Sequence, residues 1–279
     1  MRNFQYNATV IGGQGFIGRA LIADLQLKGW ECWVPDRGIQ WPQPQRDLGH
    51  VFYCAGLTAD YLARPVDTVE AHISLLSRVL KSPNYQSLVY LSSTRLYDGL
   101  PTGSLADENA DFHVNPFHSR HLYDLTKLTG ESLCYHMGQG RARIARLSCV
   151  YDHTPDAEGF LPELLRALAR SSAGATISLA SSPHFARDYV YVRDVVQALV
   201  GIATKGTQLV YNVASGETLH NFELANEVAK ICNRNFVFEY DQIQAEPARI
   251  DVRRLQSLLD WRPESVFKTI GPWLRALPG

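Results

Sequence analysis

Short apolar runs alternate with longer amphipathic segments along the first half of the chain. This alternation is typical of strands and crossover helices in a parallel sheet. The apolar runs that predict strands cover residues 8–12, 32–34, 51–55, 88–91, 144–147 and 209–213. The segments with helical periodicity cover residues 16–28, 66–81, 120–138, 160–171 and 193–204. The pattern therefore predicts an α/β fold built on a parallel sheet.

The first predicted helix carries sequence signals for its buried face and for its end. Ile17, Leu21 and Leu25 fall on one face at helical spacing. Gly29 follows the last turn, at the place where a residue in the left-handed conformation commonly ends a helix. We expect this helix to pack on the sheet through its apolar face and to stop at Gly29.

The regular alternation weakens beyond about residue 150, where loops are predicted at 152–159 and 181–187. No internal repeat or long linker interrupts the chain. We therefore predict a smaller C-terminal lobe beside the sheet domain. The predicted division assigns residues 1–150 and 188–214 to the sheet domain and residues 151–187 and 215–279 to the lobe.

Composition and charge narrow the class of protein. With 279 residues, 46% of them hydrophobic, the chain can bury a large core. Its formal net charge of -1 leaves no basic excess for nucleic acid. No apolar run approaches the ~20 residues that span a bilayer, and residues 1–7 are too polar for a signal peptide. We expect a cytoplasmic protein that binds neither nucleic acid nor membranes.

The cysteines do not form a recognisable metal or disulfide pattern. They are odd in number and scattered, at positions 32, 54, 134, 149 and 232. Most of them stand in apolar stretches and none forms a CxxC pair. We interpret them as reduced thiols of the core, and we predict no metal site.

An apolar stripe marks the predicted helix at 66–81. Its members, at alternating spacings of three and four residues, are Val66, Val69, Ile73, Leu76 and Leu80. Such a stripe is typical of a helix that packs on its own sheet, and equally of a helix that pairs with a second copy of the chain. The stripe alone leaves both interpretations open.

Three glycines follow the first predicted strand and open the first predicted helix, at positions 12, 15 and 18. In this context Gly12 permits a tight turn, Gly15 lets the backbone approach a pyrophosphate, and Gly18 lets helix and strand pack closely. The helix N-terminus adds free N–H donors with a partial positive charge. The motif predicts a dinucleotide-binding turn.

The second predicted strand leads to an acidic residue, Asp36, which we place at its end. An acidic residue there accepts hydrogen bonds from the adenine ribose and repels a 2′-phosphate, so NAD is favoured over NADP. The next residue, Arg37, could instead pair with a 2′-phosphate. NADP therefore remains the alternative cofactor.

Tyr123 and Lys127 stand four residues apart on a predicted helix, so they share one face. The nearby cation is expected to lower the pKa of the phenol, which could then exchange a proton with a substrate oxygen. Ser93 follows a predicted strand at the end where parallel sheets bind ligands, and could orient the same oxygen. Each feature alone also has an ordinary explanation, an exposed helical pair or a turn. A GxSxG elbow for hydrolase chemistry is missing.

These features, with further motifs along the chain, resemble the extended short-chain dehydrogenase/reductase family, in its branch of NAD-dependent nucleotide-sugar epimerases and dehydratases. Besides the glycine turn, Asp36, Ser93 and the Tyr123 and Lys127 pair, the similar segments are residues 53–56, 92–97, 146–151, 187–195 and 211–217. The similarity extends over nearly the whole chain, and the motifs occur in the order typical of the family.

The resemblance implies a Rossmann-type doubly wound parallel sheet with a smaller C-terminal substrate-binding lobe, and the catalytic residues Ser93, Tyr123 and Lys127. The cofactor-binding residues that it implies are Gly12, Gly15, Phe16, Ile17, Gly18, Asp36, Arg37, Cys54, Ala55, Gly56, Thr58, Tyr123, Lys127 and Ser148. The substrate-binding residues that it implies are Thr94, Cys149 and Arg187. The implied substrate is a nucleotide-linked sugar, with Arg187 at its diphosphate, and the implied assembly is a homodimer through helices 66–81 and 120–138.

The chain departs from the family pattern at a few places. Only the 13 residues from Arg37 to Gly49 separate two strands between which relatives usually insert a further strand and a helix. We therefore expect the part of the cofactor pocket that holds the adenine to differ from that of the relatives and to be covered by Trp41. His72 and Cys149 stand where many relatives have asparagine, and Asp152 replaces a glycine. These changes affect the predicted sugar pocket more than the predicted cofactor site.

The residues after Ser93 bear on the reaction. Dehydratases of the family carry an acidic pair there, whereas this chain has Thr94 and Arg95, so dehydration is disfavoured. Epimerisation and carbonyl reduction remain, and both use the same three residues. Two further alternatives are a sterol or flavonoid alcohol as substrate, and a dinucleotide-sensing regulator without turnover. The intact set of Ser93, Tyr123 and Lys127 argues against the regulator.

Overall fold

A six-stranded parallel sheet forms the centre of the computed structural model, which describes residues 6–153, 160–243 and 246–276. The strands are β1 (Asn7–Ile11), β2 (Glu31–Trp33), β3 (His50–Tyr53), β4 (Ser87–Ser93), β5 (Leu105–Ala106), β6 (Ala142–Leu147), β7 (Cys149–Tyr151), β8 (Thr176–Leu179), β9 (Ala186–Tyr191), β10 (Val210–Val213), β11 (Thr218–His220), β12 (Asn235–Phe238) and β13 (Arg249–Ile250). The helices are α1 (Phe16–Leu27), α2 (Pro65–Val69), α3 (Leu75–Leu80), α4 (His121–Met137), α5 (Phe160–Ala169), α6 (Val192–Lys205), α7 (Asn221–Cys232), α8 (Arg253–Leu259) and α9 (Val266–Arg275).

The strand order of the central sheet is β10-β6-β4-β3-β1-β2. The chain moves outward from β1 in one direction to β2 and in the other direction to β3 and beyond. The point at which the strand order changes direction therefore lies between β1 and β3, where Ala8 pairs with His50 and Ile11 with Tyr53. In open parallel sheets a ligand binds outside the carboxyl ends of the strands at such a point. The predicted Rossmann-type doubly wound sheet is confirmed.

Helices cover both faces of this sheet. On one face α1 and α6 pack together, with Leu21 and Leu199 fully buried in a shared apolar cluster. On the other face α3 and α4 pack together, with Leu76 and Cys134 in a second cluster. Every strand and helix predicted for the sheet domain is present, and apart from the end of β2 at Trp33 their ends lie within two residues of the predicted ones. Gly29, with φ of 76°, follows α1 as predicted.

The predicted helix at 66–81 is divided, because a π-helical turn over Glu70–Ser74 separates α2 from α3. A π turn rotates the helix less per residue than an α turn does, so the apolar stripe does not stay on one face. Leu76 is fully buried against the sheet, whereas Val66 is 79% exposed. The stripe therefore does not lie along one face of a single helix. Its C-terminal half belongs to the core, and its N-terminal half faces outward.

A smaller apolar cluster lies apart from the sheet and is formed by helices α5, α7 and α9 with strands β8 and β12. Strands β7, β9 and β11 form a separate three-stranded sheet. The segment from Ala248 to Trp261, including α8, instead packs into the cluster beneath α1 and α6. The core is thus divided between a large sheet domain and a smaller C-terminal group, while the exact boundaries at 150, 187 and 214 stay a prediction.

Residues 34–49, between β2 and β3, contain neither a helix nor a strand. This segment is held by hydrogen bonds to the loop after α3, from the Gln43 amide to the Ser82 hydroxyl (3.0 Å) and from the Leu48 amide to the Asn84 carbonyl (2.8 Å). The Trp41 ring packs against Trp33, with 5.9 Å between ring centroids. Strand β2 consequently forms the edge of the central sheet.

The lengths and compositions of the helices also bear on membranes. None of the helices in the described ranges combines the length and the apolar character that crossing a bilayer requires.

Candidate active site

The three glycines form a tight turn between β1 and α1. Gly12 has φ of 80°, and the Gly15 amide donates to the Gly12 carbonyl at 3.0 Å. A methyl group at Gly18 would lie 2.5 Å from the Gly12 carbonyl oxygen, so helix and strand approach too closely there for any side chain. Helix α1 begins at Phe16 and Ile17 with no side-chain cap and no acidic residue in its first turn. Its free N–H donors fit an anionic ligand such as a pyrophosphate.

Asp36 does not stand at the end of a strand as predicted. Strand β2 ends at Trp33, and the Asp36 carbonyl accepts from the Ile39 amide in a turn three residues further on. The prediction of the strand end was wrong because the chain turns away after Pro35. The side chains of Asp36 and Arg37 are both exposed on this turn, so either could contact an adenosine group.

The loop after β3 lies beside the glycine turn and close to α4. The Cys54 amide donates to the Ile11 carbonyl (2.8 Å), and the Ala55 backbone packs against Gly12. A methyl group at Gly56 would lie 3.0 Å from His72 Nε2 and 3.5 Å from Lys127 Nζ.

Two further predicted cofactor residues are Thr58, which belongs to this loop, and Ser148, which follows strand β6. Thr58, at the loop's end, is exposed. Ser148, just after β6, is half-buried, and its amide donates to the Val213 carbonyl at 3.1 Å. Through the contacts of Gly56 with His72 and Lys127, the structure brings this loop next to α4, the proposed catalytic helix.

Lys127 is buried beneath this loop. Its ammonium donates a hydrogen bond to the Leu91 carbonyl at 2.8 Å, which ties α4 to strand β4. Burial lowers the pKa of Lys127 to about 8, although the charges of Glu131 and Cys54 partly oppose the shift. The ammonium lies 5.8 Å from the centroid of the Tyr123 ring. Lys127 therefore titrates near physiological pH.

Tyr123 is also buried, and its pKa moves in the direction opposite to the prediction. Burial raises the pKa of the phenol to about 12, and a hydrogen bond with the Ser93 hydroxyl and the charge of Arg95 only partly oppose this. The prediction that Lys127 lowers this pKa was wrong because desolvation outweighs a cation that points toward the Leu91 carbonyl. The free protein consequently holds Tyr123 as a neutral phenol, which is a proton donor.

His72 is a site residue whose role sequence reasoning missed. It is fully buried on the π turn, and its ring meets the Tyr123 ring edge-on at 5.6 Å. Burial first, and then the Lys127 charge, lower its pKa to about 2, so the imidazole is neutral. Because Nε2 accepts from the Leu57 amide (3.2 Å), Nδ1 carries the proton and donates to the Thr126 hydroxyl (2.8 Å). His72 thus links the proposed cofactor loop to the proposed catalytic helix.

A buried ion pair lies behind the site. Both oxygens of Glu131 bind the Arg146 guanidinium, at 2.9 Å from Nε and 2.6 Å from Nη2. The Ser92 hydroxyl also donates to Glu131 (2.6 Å), and Arg146 donates to the Tyr97 hydroxyl (2.7 Å). These side chains are almost completely buried. The network joins α4, β4 and β6 at the carboxyl end of the sheet. Ser92, Tyr97 and Arg146 stand in segments that were singled out in the sequence, whereas Glu131 was missed.

The predicted substrate-binding residues lie at the same end of the molecule and are half-buried: Thr94, Cys149 and Arg187. The Arg187 guanidinium stacks on the Phe185 ring at 3.9 Å. Burial raises the pKa of the Cys149 thiol, which the charge of Arg187 partly opposes. Cys149 is therefore a protonated thiol beside an arginine, and it has no features of an activated nucleophile.

A cavity of about 610 Å³ opens between β4 and α4. Its wall comes from the segment 95–99, the exposed loop 112–118 and the start of α4. Ser93 and Tyr123 are not part of this wall, but Arg95 contacts both the cavity and the Tyr123 ring. The cavity therefore lies directly beside the proposed reaction centre.

Comparisons with known proteins agree with this geometry. The model of the NAD dependent epimerase/dehydratase family matches residues 8–214. The chain is 24% identical over 307 residues to UDP-glucuronic acid decarboxylase 1 of Danio rerio, covering 96% of this chain and 72% of that protein. It shares its fold with MoeE5 in complex with UDP-glucose and NAD (TM-score 0.77, 20% identity, 96% and 97% covered). RMD from Pseudomonas aeruginosa complexed with NADPH is equally similar (TM-score 0.78, 22% identity, 98% of each chain).

Proposed function

This chain belongs to the NAD dependent epimerase/dehydratase family, and from that premise we propose that it oxidises or reduces a hydroxyl or keto carbon of a nucleotide-linked sugar. The observation that carries the proposal is the clustering of Tyr123, whose phenol interacts with the Ser93 hydroxyl, and the buried Lys127 at the carboxyl end of the sheet and next to the glycine turn. The relatives bind or convert nucleotide sugars, as their names state, and this supports the same substrate class here.

The glycine turn, the loop 54–58 and Ser148 would hold the dinucleotide, and Lys127 would contact its nicotinamide ribose. When bound, the nicotinamide donates or accepts a hydride. We keep NAD as the favoured cofactor because the exposed Asp36 would repel a 2′-phosphate. NADP remains the alternative, since Arg37 is equally exposed and one structural neighbour holds NADPH.

The chain's own residues supply the proton chemistry. In the reductive direction Tyr123 donates its phenolic proton to the substrate oxygen, while the Ser93 hydroxyl orients that oxygen. The Lys127 ammonium, 5.8 Å from the ring centroid, then stabilises the phenolate that remains. In the oxidative direction the same groups act in reverse. Thr94 and Arg95 offer no carboxylate for eliminating water, so epimerisation or reduction is favoured over dehydration.

The assembly and location of the protein belong to the proposal as well. Exposed apolar side chains occur on and before α2, where Leu62 is 53% and Val66 79% exposed. They support a homodimer through the α2–α3 and α4 region, with the C-terminal half of the stripe kept in the core. The cytoplasmic location stays a prediction.

Activity on nucleotide sugars tests the proposal directly. We expect purified protein to bind NAD or NADP and to convert at least one member of a panel of UDP-, dTDP- and GDP-linked sugars or 4-keto sugars. Product analysis by NMR distinguishes the reactions, because an epimerase returns its cofactor unchanged whereas a reductase consumes NAD(P)H stoichiometrically. Tight cofactor binding without conversion of any sugar would favour the regulator instead.

The pH dependence of the rate of reduction should report the protonation state of Lys127. With its pKa near 8, the ammonium loses its proton as the pH rises, and the phenolate that forms on Tyr123 loses its stabilising charge. We expect kcat/KM for reduction to stay constant between pH 6 and 7.5 and to fall above about pH 8. Because guanidinium does not titrate in this range, Lys127→Arg should remove the descending limb whatever its absolute rate. A limb that stays in that variant would assign it to another group.

A further inference from the structure

Arg95 lies at the proposed reaction centre, at a place where the dehydratases of the family have an acidic pair. It is two residues beyond Ser93, whose hydroxyl accepts a hydrogen bond from the Arg95 amide (3.2 Å). The guanidinium carbon lies 4.9 Å from the centroid of the Tyr123 ring and 5.7 Å from that of Tyr61. This side chain is half-buried and therefore positioned by its packing.

Among the residues that the structure describes, no carboxylate forms an ion pair with Arg95, whose guanidinium stacks on two rings and acts on the buried carboxylate of Asp124 only at longer range. The neighbouring charges are paired with one another. Arg120 binds Asp98 at 3.1 Å and approaches Asp124 to 3.7 Å. Arg95 is thus a half-buried cation without a directly bound counter-ion, on the wall of the 610 Å³ cavity, where the two carboxylates of the same wall, Asp98 and Asp124, lie closer to Arg120. Such a cation favours an anionic ligand group.

A second arginine of this region has the same character. Arg187 stacks on Phe185 and forms no ion pair among the described residues. The adjacent Asp188 instead accepts the amides of Ser215 (2.8 Å) and Gly216 (2.7 Å). Ser93 pairs with Leu147 on one side, and Cys149 pairs with Tyr189 on the other, so Arg95 and Arg187, each two residues from one of these pairs, border the same region around Cys149. This region presents two separate cationic groups to a ligand.

A nucleotide-linked sugar without further charge has its anionic group at one end only, because the diphosphate is bonded to the anomeric carbon. We assigned Arg187 to that diphosphate above. Arg95 lies instead beside Ser93 and Tyr123, where the reacting oxygen of the sugar would bind. A neutral sugar would leave this guanidinium desolvated and unpaired when the ligand fills the site.

We propose that the substrate carries a carboxylate on its sugar ring, as nucleotide-linked uronic acids do, and that Arg95 is the specificity-determining residue that binds it. The planar guanidinium can bind a carboxylate through two parallel hydrogen bonds. This inference rests on the proposed function, since it assumes that a nucleotide sugar binds with its reacting carbon at Tyr123.

Paired ligands that differ only in this carboxylate provide the test. UDP-glucuronic acid is compared with UDP-glucose, and GDP-mannuronic acid with GDP-mannose, by calorimetry on protein saturated with NAD. A charge-assisted bidentate pair predicts that the uronic acid of at least one pair binds about 10-fold or more tightly than its neutral partner. In Arg95→Gln we expect the two affinities to become equal, because the uronic acid loses its partner and the neutral sugar no longer has to desolvate an unpaired charge, whereas Arg95→Lys should retain part of the preference.

Arg187→Gln is the matched control, because it removes the other unpaired guanidinium. It should weaken both members of a pair by the same factor and leave their ratio intact. Thermal unfolding and NAD affinity show whether each variant is folded.

The remaining outcomes separate the two proposals. Equal affinity for both members of each pair in the unchanged protein, or a preference that survives in Arg95→Gln, overturns this inference and leaves the proposed function intact. A variant that loses kcat while keeping the affinity ratio overturns it too, since Arg95 would then act only on the Tyr123 phenol. If NAD binds but none of the four sugars does, this inference fails, and the proposed function fails with it only when no member of the wider nucleotide-sugar panel is converted.

Discussion

Replacing Tyr123 by phenylalanine is expected to lower kcat by about 10³-fold, because a positioned acid or base contributes roughly 10²–10⁴-fold to a rate. The substitution removes the hydroxyl that interacts with Ser93 and leaves the ring among Tyr61, His72 and Arg95. The affinity for NAD should therefore change little. Rates are measured with the nucleotide sugar that the panel identifies, and cofactor binding by fluorescence titration.

Tyr135→Phe is the matched control for this experiment. Tyr135 lies on the same helix, α4, but is 64% exposed. Its loss of a hydroxyl should leave both kcat and NAD affinity unchanged. If Tyr123→Phe kept kcat within a few-fold of the original value, the phenol would not be the proton donor, and the mechanism proposed for this site would be wrong.

The second large effect concerns stability. Glu131→Gln removes the charge that pairs with Arg146, and both side chains are more than nine-tenths buried. An uncompensated charge in such a place is strongly unfavourable, so we expect the free energy of unfolding to fall by about 3–5 kcal/mol. Urea denaturation, followed by circular dichroism without cofactor, measures the change as a lower midpoint.

Glu227→Gln is the corresponding control on the surface. Glu227 pairs with Lys230 one turn along α7, and both side chains are largely exposed. Exposed pairs contribute about 0–1 kcal/mol, so this variant should unfold near the original midpoint. Equal losses in the two variants would show that the Glu131–Arg146 pair gains nothing from its burial and contributes like a surface pair.

Local sequence signals predicted the sheet domain well, because its strands and helices bury faces whose periodicity is visible in the sequence. The glycine turn was equally predictable. Gly12 needs a positive φ, and Gly18 lies where no side chain fits, so both are constrained by the backbone alone. The end of β2 was misplaced because Asp36 already belongs to a turn that the Ile39 amide closes, and the segment after it is held by hydrogen bonds to Ser82 and Asn84, which are distant in the sequence.

The electrostatics of the site depend on tertiary structure, and here the sequence was insufficient. The spacing of Tyr123 and Lys127 correctly placed them on one helix, but it carried no information on burial, which dominates both pKa values. The π turn leaves no periodic signal, since its residues also fit an α-helix, and so the contact of His72 with Tyr123 was not foreseen. The role of Arg95 followed only from seeing which neighbouring charges are already paired.

The short connection between β2 and β3 also affects how the molecule avoids aggregation. A sheet that loses an outer strand exposes a new row of backbone donors and acceptors, to which another polypeptide could add. Here that row is only the three residues of β2, Glu31–Trp33. Arg46 stacks on Trp33 at 4.0 Å and places a positive charge beside it. A short edge strand with a cation next to it discourages the addition of another strand. The chain can therefore omit the outer strand without becoming a template for fibril growth.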